Sequence, residues 1–227
     1  MIHYRSAAGE AAAARRALLI LALVSLIGGG TIMGYFSVLD LVAIDRATDA
    51  DATRAFGTVR GANTLLLVSI PIAWLFLLRW LRTTLRNAHA LALPRTVVAL
   101  AGIDRRVAVA ALPGPLIGEP GRLLVAHLRS LAEAHSGTGS SRPIPDAGAP
   151  RWAGRISVLV APLWIGGLVR SHADHHAVIW VALAWVLLSA VAILLRQAIA
   201  AVQLGEELQS ALVTADRRSR HRSSQPA

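Results

Sequence analysis

Four uncharged apolar stretches, residues 17–39, 61–78, 156–169 and 177–195, punctuate this chain, and arginine is spread very unequally between the segments they separate. Taken as membrane spans, they divide the rest of the sequence into two alternating sets. Residues 1–16, 79–155 and 196–227 together carry 19 of the 23 Arg and 8 of the 13 acidic residues. Residues 40–60 and 170–176 carry the other 4 Arg and 5 acids. The formal charge of +10 thus separates into +11 on one face and −1 on the other. Guanidinium groups resist transfer through hydrocarbon, so the arginine-rich set is expected in the cytoplasm. The expected fold is all-α: an integral membrane four-helix bundle of a bacterial inner membrane. Both termini and the long middle loop would be cytoplasmic, with interfacial amphipathic helices in that loop.

The bulk properties agree. Mean hydropathy is +0.54 and 16% of residues are charged, against about 25% in a soluble domain. The pI near 11.6 does not call for nucleic acid as a partner, because the basic residues flank apolar spans and form no separate basic domain. All basic residues other than His are Arg, a codon bias suggesting a GC-rich bacterial genome, and Cys is absent. Without cysteine there is no disulfide framework, thiolate metal site or thiol nucleophile. The first stretch follows Arg15 and Arg16 as a signal peptide would. Its 23 uncharged residues exceed the 7–15 of a signal h-region, so it is expected to be retained as a span.

Within the first span, Gly30 and Gly34 form a GxxxG pair, a candidate helix-packing face inside the bundle or between chains, with the intramolecular role the expected one. Segment 40–60 is expected to be a solvated acidic loop that can continue the first helix for a turn or two. Asp49 and Asp51 lack the Gly and terminal Glu of an EF-hand calcium loop. Pro71 falls mid-span and should kink the second helix. Trp80, beside Arg79 and Arg82, stands where an interfacial anchor belongs. In the middle loop, residues 96–112 and 121–135 read as interfacial helices. Arg95, Gly102 and Arg106 share a stripe on the first, making Arg95, Arg105 and Arg106 candidate lipid-facing cations. Leu124, Leu128 and Leu131 share a face on the second. Residues 136–150 read as a Gly/Ser/Pro linker. The third span is the shortest, its 14 residues reaching about 21 Å; a crossing is expected, with a re-entrant segment as the alternative. Beyond the fourth, Ala201, Gly205, Leu208 and Leu212 suggest a continuing apolar stripe, and 216–227 reads as a basic disordered tail.

Chemistry-bearing residues are sparse. His172, Asp174, His175 and His176 make the one dense group of metal-ligating or pH-sensitive side chains, without the spacing of HExxH. His89, His127 and His135 show no partner in sequence and read as surface residues. The spans as drawn hold no ionisable side chain of the kind that proton relays and ion-coupled transporters place in the membrane. Nucleophile-elbow and phosphate-loop motifs are missing. No catalytic residue, metal or cofactor is therefore expected.

Two motifs carry a resemblance. WLRTTLRNAHAL (80–91) resembles the W-L-x-R-x-x-x-N signature at the inner end of the second helix in an actinobacterial membrane family known as domain of unknown function 4328. Trp80, Leu81 and Asn87 keep the spacing, and Arg82 stands one place early. Residues 112–131 resemble that family's P-x6-P stretch before an amphipathic helix, through Pro113 and Pro120. The resemblance implies four membrane helices with an inner amphipathic hairpin and carries no established activity. From the residues themselves, the prolines would stiffen a turn beneath the bundle, with Asn87 as a cap or tether. The expected function is that of a non-enzymatic scaffold, sensor or partner- or lipid-binding membrane subunit, with a transporter or channel component as the alternative. Expected partners are anionic lipids of the inner leaflet and a second copy or another membrane protein.

Overall fold

An α-helix satisfies its own backbone, so it is the natural element for a chain whose long segments offer only apolar side chains to their surroundings. The computed structural model describes residues 4–91, 93, 100–111, 119–136, 148–170 and 177–223. Within them lie six α-helices, a short 3₁₀ turn at Leu100–Gly102 and no strand. We label them α1 (Ala8–Ala43), α2 (Asp49–Ala90), α3 (Ile103–Ala111), α4 (Glu119–Ser136), α5 (Gly148–Arg170) and α6 (Val178–Ser223). Four of them, α1, α2, α5 and α6, are long and apolar enough to cross a membrane. Large apolar side chains such as Ile20, Ile27, Leu65, Leu75 and Val169 are more than half exposed along these helices, a surface suited to lipid. The chain is built as a multi-pass membrane protein.

The helices overrun the apolar stretches. Segment 40–60 is largely helical: α1 continues to Ala43 and α2 begins at Asp49. The short link closes with Asp45 in the left-handed region (φ 57°). The Asp45 and Arg46 N–H groups donate back to the Val42 and Leu41 carbonyls, a Schellman closure. Asp49 and Asp51 belong to the first turn of α2 and not to a solvated loop. Thr48 caps that helix, its hydroxyl accepting from the Asp51 N–H while the Asp51 carboxylate accepts from the Thr48 N–H and hydroxyl. The Thr48 hydroxyl and N–H hold the Asp51 carboxyl below its ordinary pKa. The third span is no short element either: α5 starts at Gly148, within the expected linker, and its 23 residues reach about 34 Å. Pro150 fits there because the first turn has no intrahelical N–H bond to lose. At the far end α6 stays helical through Ser223, so most of the basic tail is helix and not disordered.

Packing runs in the order α2–α1–α6–α5: α1 lies against both α2 and α6, and α6 against α5, while α2 and α5 do not pack closely. Small residues set the closest approaches. A Cβ on Gly28 would overlap the Trp185 ring, and one on Gly167 would meet the Val181 side chain at 2.7 Å and its backbone N at 3.0 Å. Gly30 and Gly34, by contrast, are exposed and have nothing within 4 Å of such a Cβ. The expected intramolecular GxxxG face is therefore displaced: the bundle closes on Gly28, Gly29 and Gly167.

At the arginine-rich end, α2 and α6 project past the bundle, and α3 and α4 dock on these extensions. Leu124, Leu128 and Leu131 are buried against protein, with Leu131 over Gly205. The apolar face of α4 thus packs on α5 and α6 and is not laid on lipid. Ala201, Leu208 and Leu212 of α6 are only partly buried; the covered stripe is rotated to Ala198, Val202, Gly205, Glu206 and Gln209.

Candidate functional site: a buried amide–carboxyl–imidazole lock

The covered stripe of α6 carries a carboxyl group. Glu206 follows Val202 by one turn and is fully buried. His127 lies between Leu124 and Leu128 on the apolar face of α4 and is fully buried too. Asn87, one turn after Thr84 on α2, is 2% exposed. Burying such groups is costly unless they are paired, and here they pair with one another. His127 Nε2 lies 3.0 Å from Glu206 Oε1, and Asn87 Nδ2 donates to Glu206 Oε2 at 2.8 Å. With a carboxylate as acceptor, the imidazole Nε2 carries the proton and donates. The amide of Asn87 also donates to the Arg5 carbonyl at 3.0 Å and accepts from the Arg5 N–H at 3.3 Å. Four segments distant in sequence, α2, α4, α6 and the residues that precede α1, meet on these three side chains.

A second, more exposed set surrounds the lock. Glu10 on α1 accepts from the Thr83 hydroxyl and lies 3.7 Å from Arg79 and 4.0 Å from Arg5. Asp104 on α3 takes a two-pronged hydrogen bond from Arg82, at 2.7 and 3.1 Å, with Arg86 at 3.7 Å. The Arg82 bond, with the charges of Arg82 and Arg86, holds the Asp104 carboxyl below its ordinary pKa. Burial, and then the charges of Glu206 and Glu207, raise the Tyr4 phenol. Several polar atoms near the lock make no hydrogen bond among the described residues: Thr84 Oγ1, His127 Nδ1 and Gln209 Oε1.

The residues singled out in sequence fall in several places. Trp80 is fully buried in the core and is no interfacial anchor; Trp152, 56% exposed with the Arg155 guanidinium over its ring, has that character instead. Arg82 is an ion-pair partner of α3. Asn87 tethers the N-terminal segment and Glu206. Arg105 and Arg106 are exposed on α3. Pro120 lies in the first turn of α4. Arg95, Pro113 and the group His172, Asp174, His175 and His176 lie outside the described residues. Among the described residues no three His, Asp or Glu side chains converge as metal ligands. His127 corrects the sequence reading, being a buried partner of Glu206 and not a surface residue; Glu206 was not singled out at all. The signal available in sequence was an ionisable residue inside an apolar stripe, at position 127 on one helix and 206 on another.

Compared with protein families, curated proteins and solved structures, the chain shows no match.

Proposed function

We propose that this chain is a non-enzymatic inner-membrane scaffold, in which four spans carry a rigid cytoplasmic platform that binds a partner. The observation that supports this reading is the Asn87–Glu206–His127 lock. A polar network closed to solvent fixes the relative placement of the elements it joins more than it adds to stability, which is what a docking platform requires. On this reading the arginine-rich end faces the cytoplasm, by the charge asymmetry of the loops. On this reading the chain is also a diverged relative of the family that the motifs around Trp80 and Asn87 resemble, a group of unassigned activity.

Crosslinking in native membranes tests the platform. The reading expects a protein captured through photoreactive groups on the exposed faces of α3 and α4, lost in His127→Leu while the four spans stay folded. Capture that is indifferent to His127→Leu, or solute-specific flux by the purified protein in liposomes, would contradict it, the latter in favour of a transporter or channel component.

A further inference from the structure

Because α2 and α5 do not close on each other, the bundle has a lateral cleft. It has a volume of about 380 Å³, within the range of about 300–1,000 Å³ usual for ligand sites. Pro71 and Trp74 form its α2 wall, Val160 and Trp164 its α5 wall, and Leu18 and Trp185 its floor. The lining is almost wholly apolar. An apolar cleft alone is ordinary lipid-facing surface. Its arginine-rich end is not ordinary.

Arg15 stands one turn before Leu18 on α1, and Arg196 one turn after Ala192 on α6; Leu18 and Ala192 both line the cleft. From the Gly28–Trp185 contact, Arg15 lies 13 residues along α1 and Arg196 11 residues along α6 in the same direction. The two are therefore about 3 Å apart along the bundle axis. Both are partly buried, and the Nε of each is buried without a hydrogen bond to the described residues. Glu10, the acidic residue of α1 nearest Arg15, is already engaged by Thr83 and Arg79. Arg15 lies two residues before the first apolar stretch and Arg196 directly follows the fourth, positions where headgroups are expected. An apolar slot with two such cations one turn beyond Leu18 and Ala192 of its lining matches an acyl chain joined to a phosphate, since guanidinium hydrogen-bonds phosphate strongly.

We propose that the cleft between α2 and α5 binds one anionic phospholipid, its acyl chain against Trp74, Trp164 and Trp185 and its phosphate between Arg15 and Arg196. The proposal does not depend on the platform, since no member of the lock lines the cleft.

Three tryptophans in the cleft provide the readout. Delipidated full-length protein in neutral detergent is titrated with phosphatidylglycerol brominated on its acyl chains. Tryptophan quenching is expected to saturate at about one lipid per chain, as for a single site. Arg15→Gln with Arg196→Gln should weaken it roughly ten- to a hundredfold, the cost of losing hydrogen bonds to a charged group. Ala192→Phe, which fills the cleft and keeps both cations, should weaken it too, whereas Arg129→Gln on the exposed face of α4 should not. Brominated phosphatidylcholine should bind more weakly, and inorganic phosphate should not compete at equal concentration.

Non-saturable quenching by the unaltered protein would overturn the proposal without reference to any variant. So would equal affinity for both lipids, or binding indifferent to both the Arg pair and Ala192→Phe. Crosslinking between copies through Trp164→Cys, in a chain that otherwise lacks cysteine, would assign the cleft to a second protomer and equally overturn it.

Discussion

At the residue scale, the decisive contacts belong to Glu206. Its two oxygens are divided between an imidazole and an amide, both buried, so the cost of a substitution depends on what it leaves unpaired. His127→Leu leaves the carboxyl group in the protein with Asn87 alone, and a loss of about 3–5 kcal/mol is expected from breaking such a buried pair. Glu206→Gln keeps an acceptor for Asn87, and its NH2 donates to the ring once the imidazole proton moves to Nδ1, so a change of about 1 kcal/mol is expected. Thermal unfolding in detergent distinguishes them: His127→Leu should melt well below Glu206→Gln, and the reverse order would remove Glu206 from the centre of the network. Glycines follow the same logic of what a new atom meets. Gly167→Ala presses a methyl onto the Val181 backbone and is expected to cost about 1–3 kcal/mol. Gly30→Ala and Gly34→Ala meet open space and should be neutral or slightly stabilising through helix propensity. Equal melting temperatures for all three variants would contradict the packing described.

The small helix α3 is held at the element scale by Arg82 and Arg86 acting on Asp104. The folded-state pKa of Asp104 is lowered, so its contribution is present above the ordinary carboxylate value of about 4. It is lost as the pH falls through the lowered value. Hydrogen exchange of 103–111 should therefore quicken as the protein is acidified below about pH 4, after correction for intrinsic rates. Arg82→Gln should give the faster exchange already at neutral pH. Exchange unaffected by Arg82→Gln would show that the apolar side of α3, through Ile103, holds it alone. Element boundaries were only partly legible in sequence, for identifiable reasons. Composition marks where a helix meets lipid and not where it stops, so α1 and α2 overran their apolar stretches in both directions. The Thr48-x-x-Asp51 capping pair was present in sequence as a start signal for α2. Gly148-Ala-Pro150 was read as linker because Pro breaks helices in their interior, although in a first turn it starts them.

For the whole molecule, arginine asymmetry and four apolar stretches were enough to foresee an all-helical multi-pass bundle, because lipid permits few other solutions. The lock was not foreseen, because His127 and Glu206 are 79 residues apart and meet only when α4 folds onto the extension of α6. The same holds for the cleft, which depends on which pair of spans fails to close. Both features presuppose that α4 and the far end of α6 lie on the same side of the membrane, the side of the N-terminus. That threading is the central claim, and a cysteine-free chain allows it to be measured directly. Single cysteines at the exposed positions Thr53, Arg129 and Thr214 would be exposed in intact spheroplasts to a maleimide that cannot cross the membrane. Thr53→Cys is expected to label at once, and Arg129→Cys and Thr214→Cys only after lysis. Labelling of Arg129→Cys and Thr214→Cys from opposite sides would contradict the account, since α4 could not then dock on α6.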